Sequence, residues 1–360
     1  MERRKFKGKA KTVLGLVDGD ELGFTLMHEH TLFDFRNYFT KNPFEPLPTD
    51  PREKELAHQP ITLDNLHWAR YHKLSCLDNL VSGDEEMVIR EVMRFKEAGG
   101  NTIVDVTPNH VGRNPTGLVN VAKASGLNVI MGTAYYIEQL FSPEMGMDSK
   151  TDEDIANEFV RDITTGVGDT GICAGIIGEI GCSWPLGNNE RKVLRGAAIA
   201  QKQTGAAISI HPGFDENAPF EIVKVLTNAG ADPSRVIIGH ISLTFPIPAC
   251  RACSKLAEMG CYLQYDNFGL DGTYPLPYDH YYVNDPIRVN EIFELIADSH
   301  LNNILISQDV WCKILLSSYG GGGYTHIQKM IIPLMRKRGL TEEQIHTITV
   351  ENPKRALTFA

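Results

Sequence analysis

Eight short apolar runs recur along the chain, at 24–30, 101–107, 128–136, 175–181, 207–213, 236–242, 262–269 and 303–309. They are rich in Ile, Val and Leu, as expected of strands buried on both faces. Between most of them, apolar positions repeat with a helical period. In DEEMVIREVMRFKEAGG, Val88, Val92 and Phe95 share one face, acids crowd the first turn, and Gly99 and Gly100 supply a stop. NNERKVLRGAAIAQKQTG, APFEIVKVLTNAG and DPIRVNEIFELIA read the same way. In the last, Asp285 is the expected N-cap and Pro286 a first-turn residue. Thr341 and Gln344 fit a capping box for a late helix.

Strands alternating with helices imply parallel βαβ units. Eight of them close most economically into a single (β/α)8 TIM barrel of the α/β class. An open, dinucleotide-binding sheet would need GxGxxG after the first strand, and the chain has none there. No repeat, linker or shift in composition divides residues 1–360, so one domain is expected. Two segments depart from the alternation. Residues 31–83 form an extended loop after the first strand and include NPFEPLPTDP, too Pro-rich for regular structure. A loop of that length suits a lid or substrate wall. SYGGGGYTHI, at 318–327, lacks the Lys-Ser or Lys-Thr of a P-loop and fits a mobile or tightly folded loop over the barrel mouth.

Composition narrows the partners. The chain is 42% apolar, enough for a large core, and its formal net charge is −10. The basic stretch Arg3, Arg4, Lys5, Lys7, Lys9 and Lys11 reads as a solvated tail, so no nucleic acid is expected. No window nears the roughly 18 apolar residues of a membrane span. The basic N-terminus is not followed by the apolar core of a signal peptide. The expectation is a cytoplasmic protein without a membrane partner. Seven scattered cysteines agree: Cys173, Cys182, Cys261 and Cys312 read as buried free thiols. Cys250 and Cys253 form a CxxC, but no second pair follows, and two small helix residues are the better reading.

The candidate chemistry lies at the strand ends. His28 and His30 close FTLMHEH, Glu179 sits in GIIGEIG, His211 in AISIHPG, His240 in VIIGHIS and Asp309 in NILISQD. An ionisable group at the end of a buried strand must neutralise, pair or hold a metal. His28 and His30, two apart, point to one side of their strand. Active sites of parallel barrels occupy the C-terminal face of the strands. Four imidazoles and two carboxylates there suggest one metal site. The set contains no cysteine, which separates it from a closed structural zinc site.

These motifs, with TVLGLVDGDELGFTLMHEH, GIIGEIGCSWPL, SIHPG, GCYLQYDNFG, YGGGGYTHI and ENPKRALTF, make nearly the whole chain resemble the phosphotriesterase family of the amidohydrolase superfamily. The resemblance implies a barrel with two divalent metals, usually Zn2+, at its C-terminal mouth. It makes His28, His30 and Asp309 ligands of the more buried metal and His211 and His240 ligands of the other. The bridging position is a carboxylated lysine in the phosphotriesterases proper, and here it is Glu179. Two oxygens and a negative charge let a glutamate span two cations. The family hydrolyses phosphotriesters, lactones and amides on one core, so the fold alone does not choose a substrate. The branch this chain looks like implies hydrolysis of N-acetyltaurine to acetate and taurine, with Asp309 shuttling the proton and Glu179 bridging. A lactonase, esterase or phosphotriesterase on the same core, and a non-catalytic barrel scaffold, are the alternatives. The family also implies a homodimer and a small-molecule substrate.

No residue identifies the substrate pocket. Arg36, His67, Arg70, Tyr136, Tyr265, Asn267 and Arg288 lie on or near loops that could face the mouth, and Trp184 and Trp311 could wall it. Each also suits an ordinary surface or packing role.

Overall fold

The computed structural model describes residues 6–41, 45, 47–245, 249–270 and 283–360, without the side chain of Cys250. Eight parallel strands form the barrel: β1 (Thr25–Glu29), β2 (Thr102–Asp105), β3 (Asn128–Thr133), β4 (Ile176–Gly181), β5 (Ile208–His211), β6 (Val236–Ile238), β7 (Tyr262–Tyr265) and β8 (Ile304–Ile306). They neighbour one another in chain order. The ring closes where β8 runs on beside β1. The His28 amide donates to Ser307 Oγ at 2.9 Å and the Asp309 amide donates to the His28 carbonyl at 3.1 Å.

The outer helices are α1 (Glu85–Glu97), α2 (Pro115–Ser125), α3 (Asp152–Thr164), α4 (Asn188–Thr204), α5 (Ala218–Asn228), α6 (Cys250–Glu258), α7 (Asp285–Ala297) and α8 (Ile332–Arg338), and α1, α4, α5 and α7 fall where the periodicity places them. Asp84 caps α1 by accepting from the Met87 amide. For α7 the cap is Asn284, not the expected Asp285. The Asp285 carboxylate is instead held by Arg288 and His326, both at 2.7 Å. The capping box at Thr341 and Gln344 forms.

Strand alternation sorts the core into two layers. Met27, Val104, Ile130, Ile176, Ile237 and Leu305 pack together inside the barrel. Leu26, Ile103, Val129, Ile177, Ile238 and Ile304 face outward into the helix layer. An antiparallel hairpin, Lys9–Thr12 with Gly15–Asp18, seals the N-terminal end, where the Val13 amide donates to the Val129 carbonyl.

Two irregularities matter for the mouth. The pairing of β1 with β2 shifts register between Leu26 and Glu29, and that of β4 with β5 between Ile177 and Ile180. Strict alternation from inward Met27 would send His28 outward, and from inward Ile176 would send Glu179 outward. A bulge re-aims the side chains that follow it, and both residues turn into the barrel mouth. The run at 236–242 is shorter than expected as a strand: β6 ends at Ile238, and Ile241–Thr244 is helical.

The segment after β1 is more ordered than its prolines suggest. Phe33–Asp34 pairs with Val81–Ser82 and draws its ends together. Pro51–His58 is a helix, capped by Asp50 accepting from the Arg52 and Glu53 amides. The reason is local, since Asp followed by Pro supplies both a cap and a first-turn residue. Residues 42–44 and 46 of NPFEPLPTDP lie outside the described residues, as do Arg3, Arg4 and Lys5 of the basic tail. So does the side chain of Cys250; Cys253 is buried beside the Tyr265 hydroxyl. Cys182, Cys261 and Cys312 are buried free thiols as expected, and Cys173 is half-exposed.

The glycine-rich loop is tightly folded. Glu91 accepts from the Ser317 and Ser318 amides, Gln308 donates to the Gly323 carbonyl, and the Tyr324 hydroxyl donates to the His30 carbonyl.

Candidate metal centre

The six strand-end residues meet at one rim. Glu179 is central. Its Oε1 lies 3.2 Å from His30 Nε2, and its Oε2 lies 3.3 Å from His28 Nε2, 3.4 Å from His211 Nδ1 and 3.5 Å from His240 Nε2. Asp309 Oδ1 completes the ring, 3.3 Å from His30 Nε2 and 3.8 Å from His28 Nε2. All are buried except His211, which with Asp309 faces the open side.

The spacing fits cations between the donors. Two ligand atoms each about 2.1 Å from one tetrahedral cation stand about 3.4 Å apart. The donor pairs around Glu179 have that separation, and His28 Nε2 and Glu179 Oε2, both buried, make no hydrogen bond. Polar atoms sealed from water without partners are rare in native proteins. His28, His30 and Glu179 form one potential ligand group, and Glu179, His211 and His240 form a second that shares the glutamate.

The electrostatics point the same way. Burial alone would push the His28, His30 and His240 imidazoles down, but the surrounding carboxylates outweigh it and raise all three, His30 to about 10. Burial would push the Glu179 carboxyl up, yet the imidazoles hold it well below the usual range. His211 is lowered, first by burial and then by His240. The carboxylates thus demand positive charge that protons or metal can supply.

A supporting layer lies behind these groups. Asp266 Oδ1 lies 2.9 Å from His240 Nδ1, Gln264 Nε2 lies 3.0 Å from His28 Nδ1, and Thr107 Oγ1 lies 2.9 Å from His30 Nδ1. Each partner occupies the nitrogen turned away from Glu179, which fixes ring orientation. His28, His240 and Asp266 could on distance alone hold an ion. Asp266 is already saturated by the His240 amide, His240 Nδ1 and Gln264, and serves as an orienting group. Burial raises its pKa, but His240, His28 and Gln264 outweigh that and hold it at about 2.

Backbone strain collects here as well. His240, Ser299 and Asp309 are the non-glycine residues with positive φ among those described, and two of the three belong to the site, each at φ 52°. Such conformations persist only where the surroundings impose them.

Of the loop candidates, the structure brings two to the site. The Tyr136 hydroxyl lies 3.2 Å from His211 Nδ1, and Asn267 Nδ2 donates to Asp309 Oδ2 at 3.4 Å. Trp184 lines a cleft beside His211, and Trp311 packs on Phe35, whose ring abuts His30. Others are engaged elsewhere. Arg36 forks onto Asp34, and the His67 ring packs at a tilt against Tyr71. Tyr265 packs outward against Cys253, and the buried Arg288 donates to Asp285, Ser242 and the Leu270 carbonyl. The sequence reading missed Asp266, Gln264, Thr107 and Glu29. The alternation of Gln264, within β7, and Asp266, just past its end, was the available signal.

Comparison with known proteins agrees. A sequence model of the Phosphotriesterase family matches residues 8–357. An N-acetyltaurine hydrolase of Dictyostelium discoideum is 40% identical, and one of Homo sapiens 37% identical, each alignment covering 98% of both chains. A crystal structure of a resiniferatoxin-binding protein from Rhodobacter sphaeroides superposes with a TM-score of 0.90 at 31% identity, covering 97% of this chain and 95% of the other.

Proposed function

The chain belongs to the phosphotriesterase family, and from that premise we propose that it is a metal-dependent amidohydrolase that splits N-acetyltaurine into acetate and taurine. The observation that carries the chemistry is the Glu179 carboxylate set among four imidazole nitrogens at ligand spacing. The substrate rests on relatives named N-acetyltaurine hydrolase, aligned over almost the whole chain.

In this reading His28, His30 and Asp309 would hold one divalent cation and His211 and His240 a second, with Glu179 available to both ligand groups. When bound, such cations lower the pKa of a water from about 15.7 toward 7 and stabilise charge on a polarised carbonyl oxygen. The rest falls to the chain. Asp309 takes the water's proton on a carboxylate oxygen and delivers it to the amide nitrogen as the C–N bond breaks. Asn267 Nδ2 anchors that carboxylate. Asp266 keeps His240 oriented through Nδ1. Phe35, Trp311 and Tyr136 form an aromatic wall that limits water at the mouth.

Zinc as the metal rests on the imidazole and carboxylate donors. A cytoplasmic location rests on the free thiols. No helix among the described residues is long and apolar enough to cross a membrane. A single domain rests on the continuous core around the barrel, and a homodimer on the family resemblance.

The test is steady-state hydrolysis by metal-replete protein of N-acetyltaurine, a lactone panel and a phosphotriester. Taurine release with the highest kcat/KM of the set is expected. A lactone or phosphotriester preferred by tenfold or more, roughly 1.4 kcal/mol of transition-state binding, overturns the substrate.

A further inference from the structure

A cleft of about 160 Å³ opens beside His211, walled chiefly by Ile137, Trp184 and Phe214. It reaches the reacting centre. His211 is part of its lining, and His211 Nδ1 lies 3.4 Å from Glu179 Oε2 and 3.2 Å from the Tyr136 hydroxyl.

The walls come from the loops after β3, β4 and β5, and each is fixed in place. The buried Glu190 carboxylate accepts from the Glu138 and Ser183 amides, both at 3.0 Å. That one acid ties the loop carrying Ile137 to the loop carrying Trp184. A Cβ on Gly213 would come within 2.7 Å of the Trp184 backbone nitrogen, so glycine lets the loop after β5 pack closely on Trp184. A cleft held from three sides is pre-formed and can select by size.

Its chemistry turns away one half of an N-acyl aminosulfonate. The described lining residues include Asp215 and no lysine or arginine. An anionic sulfonate is repelled by such a surface, which leaves the acyl half. Trp184 is the largest of the lining side chains and only half-buried, and its indole offers broad apolar area to a chain. Size then sets a limit. A cavity of about 150 Å³ holds one benzene ring, so this cleft holds an acyl chain of about six carbons at most.

We infer that the cleft beside His211 receives the acyl group of the substrate and that Trp184 and Phe214 limit its length, an inference that rests on the amidohydrolase reading above. The substrate class is then short-chain N-acyl aminosulfonates. Fatty acyl amides are excluded by the wall, not by the chemistry at the carbonyl.

The test measures kcat/KM of metal-loaded wild type, Trp184→Ala and Phe214→Ala on N-acetyltaurine and N-decanoyltaurine. Wild type is expected to favour the acetyl substrate by about 100-fold or more. Each methylene admitted into apolar space is worth about fourfold, so at least one wall variant should raise the decanoyl-to-acetyl ratio about tenfold or more. A wild type that hydrolyses both equally well, or a ratio that neither variant raises, overturns the pocket. Binding is read separately, by titrating the neutral acyl probe butyramide into metal-loaded wild type and Trp184→Phe and following tryptophan emission. The wild-type emission should change, and the change should be largely lost in Trp184→Phe, since the other two tryptophans, Trp68 and Trp311, do not line the cleft. No change in wild type, or a change that persists in Trp184→Phe, overturns the pocket. Should metal-loaded wild type release taurine from neither substrate, the substrate reading fails by itself, and the butyramide titration decides the cleft alone.

Discussion

The Glu29 carboxylate grips both peptide N–H groups that flank Asp309. Gln308 N donates to Oε1 and Val310 N to Oε2, each at 2.9 Å, and Ser307 Oγ donates at 2.7 Å. One buried acid on β1 therefore holds the strained turn that presents a proposed ligand from beyond β8. Burial lifts its pKa to about 7 despite these donors.

Glu29→Gln turns an amide N–H2 toward groups that already donate. The expected result is a loss of about 1–3 kcal/mol in stability, together with lower turnover as Asp309 shifts. Urea unfolding and assays on the folded variant check both. A folded variant with wild-type turnover contradicts the positioning role.

Asp266→Asn removes the carboxylate behind His240 while keeping its shape. Orienting partners of this kind are worth about 10–100-fold in metal affinity. Competition with a chelator of known affinity should show that loss, with the circular dichroism spectrum unchanged.

Asp309→Asn keeps a donor oxygen but not the proton acceptor. The variant should hold most of its metal and lose about 100-fold or more in kcat. Near-normal kcat at full metal content assigns the proton transfer to another group.

His110 makes stability pH-dependent away from the site. Both ring nitrogens are sealed from solvent without a partner, and burial lowers the pKa from 6.5 to about 4. Above pH 6.5 neither state is protonated. As pH falls, the unfolded chain takes up the proton first, so stability drops between about 6.5 and 4 and then levels. The drop is at most about 3 kcal/mol. His110→Phe should remove this component, so its stability relative to wild type should rise on acidification from pH 7 to 4.5. A constant difference across that range contradicts the account.

Much of this was readable in the chain because of burial. Parallel strands covered on both faces are nearly continuous apolar runs, so His28, His211 and Asp309 stand out at their ends. Glu179 stands out most, enclosed by Ile177, Ile180 and Gly181. The bulges that turn His28 and Glu179 inward were not readable, since a register shift leaves no composition signal. Asp266 was hidden in YLQYDN, where aromatic strand formers mask the alternation of Gln264 and Asp266. Asn284 and Asp285 are equally good caps, and only the packing of Arg288 and His326 against Asp285 separates them. The Pro51–His58 helix was missed because its prolines were weighed as breakers, although Asp50-Pro51 is a helix start.

The most direct measurement is divalent metal content, by elemental analysis, of wild type and Glu179→Ala after dialysis, paired with taurine release from N-acetyltaurine. The account predicts about two ions per wild-type chain, with metal and turnover lost together when Glu179 is replaced or a chelator strips the protein, and turnover restored to wild type on adding metal back. Wild type that binds no divalent metal, or a Glu179→Ala variant that keeps both metal and turnover, would contradict it.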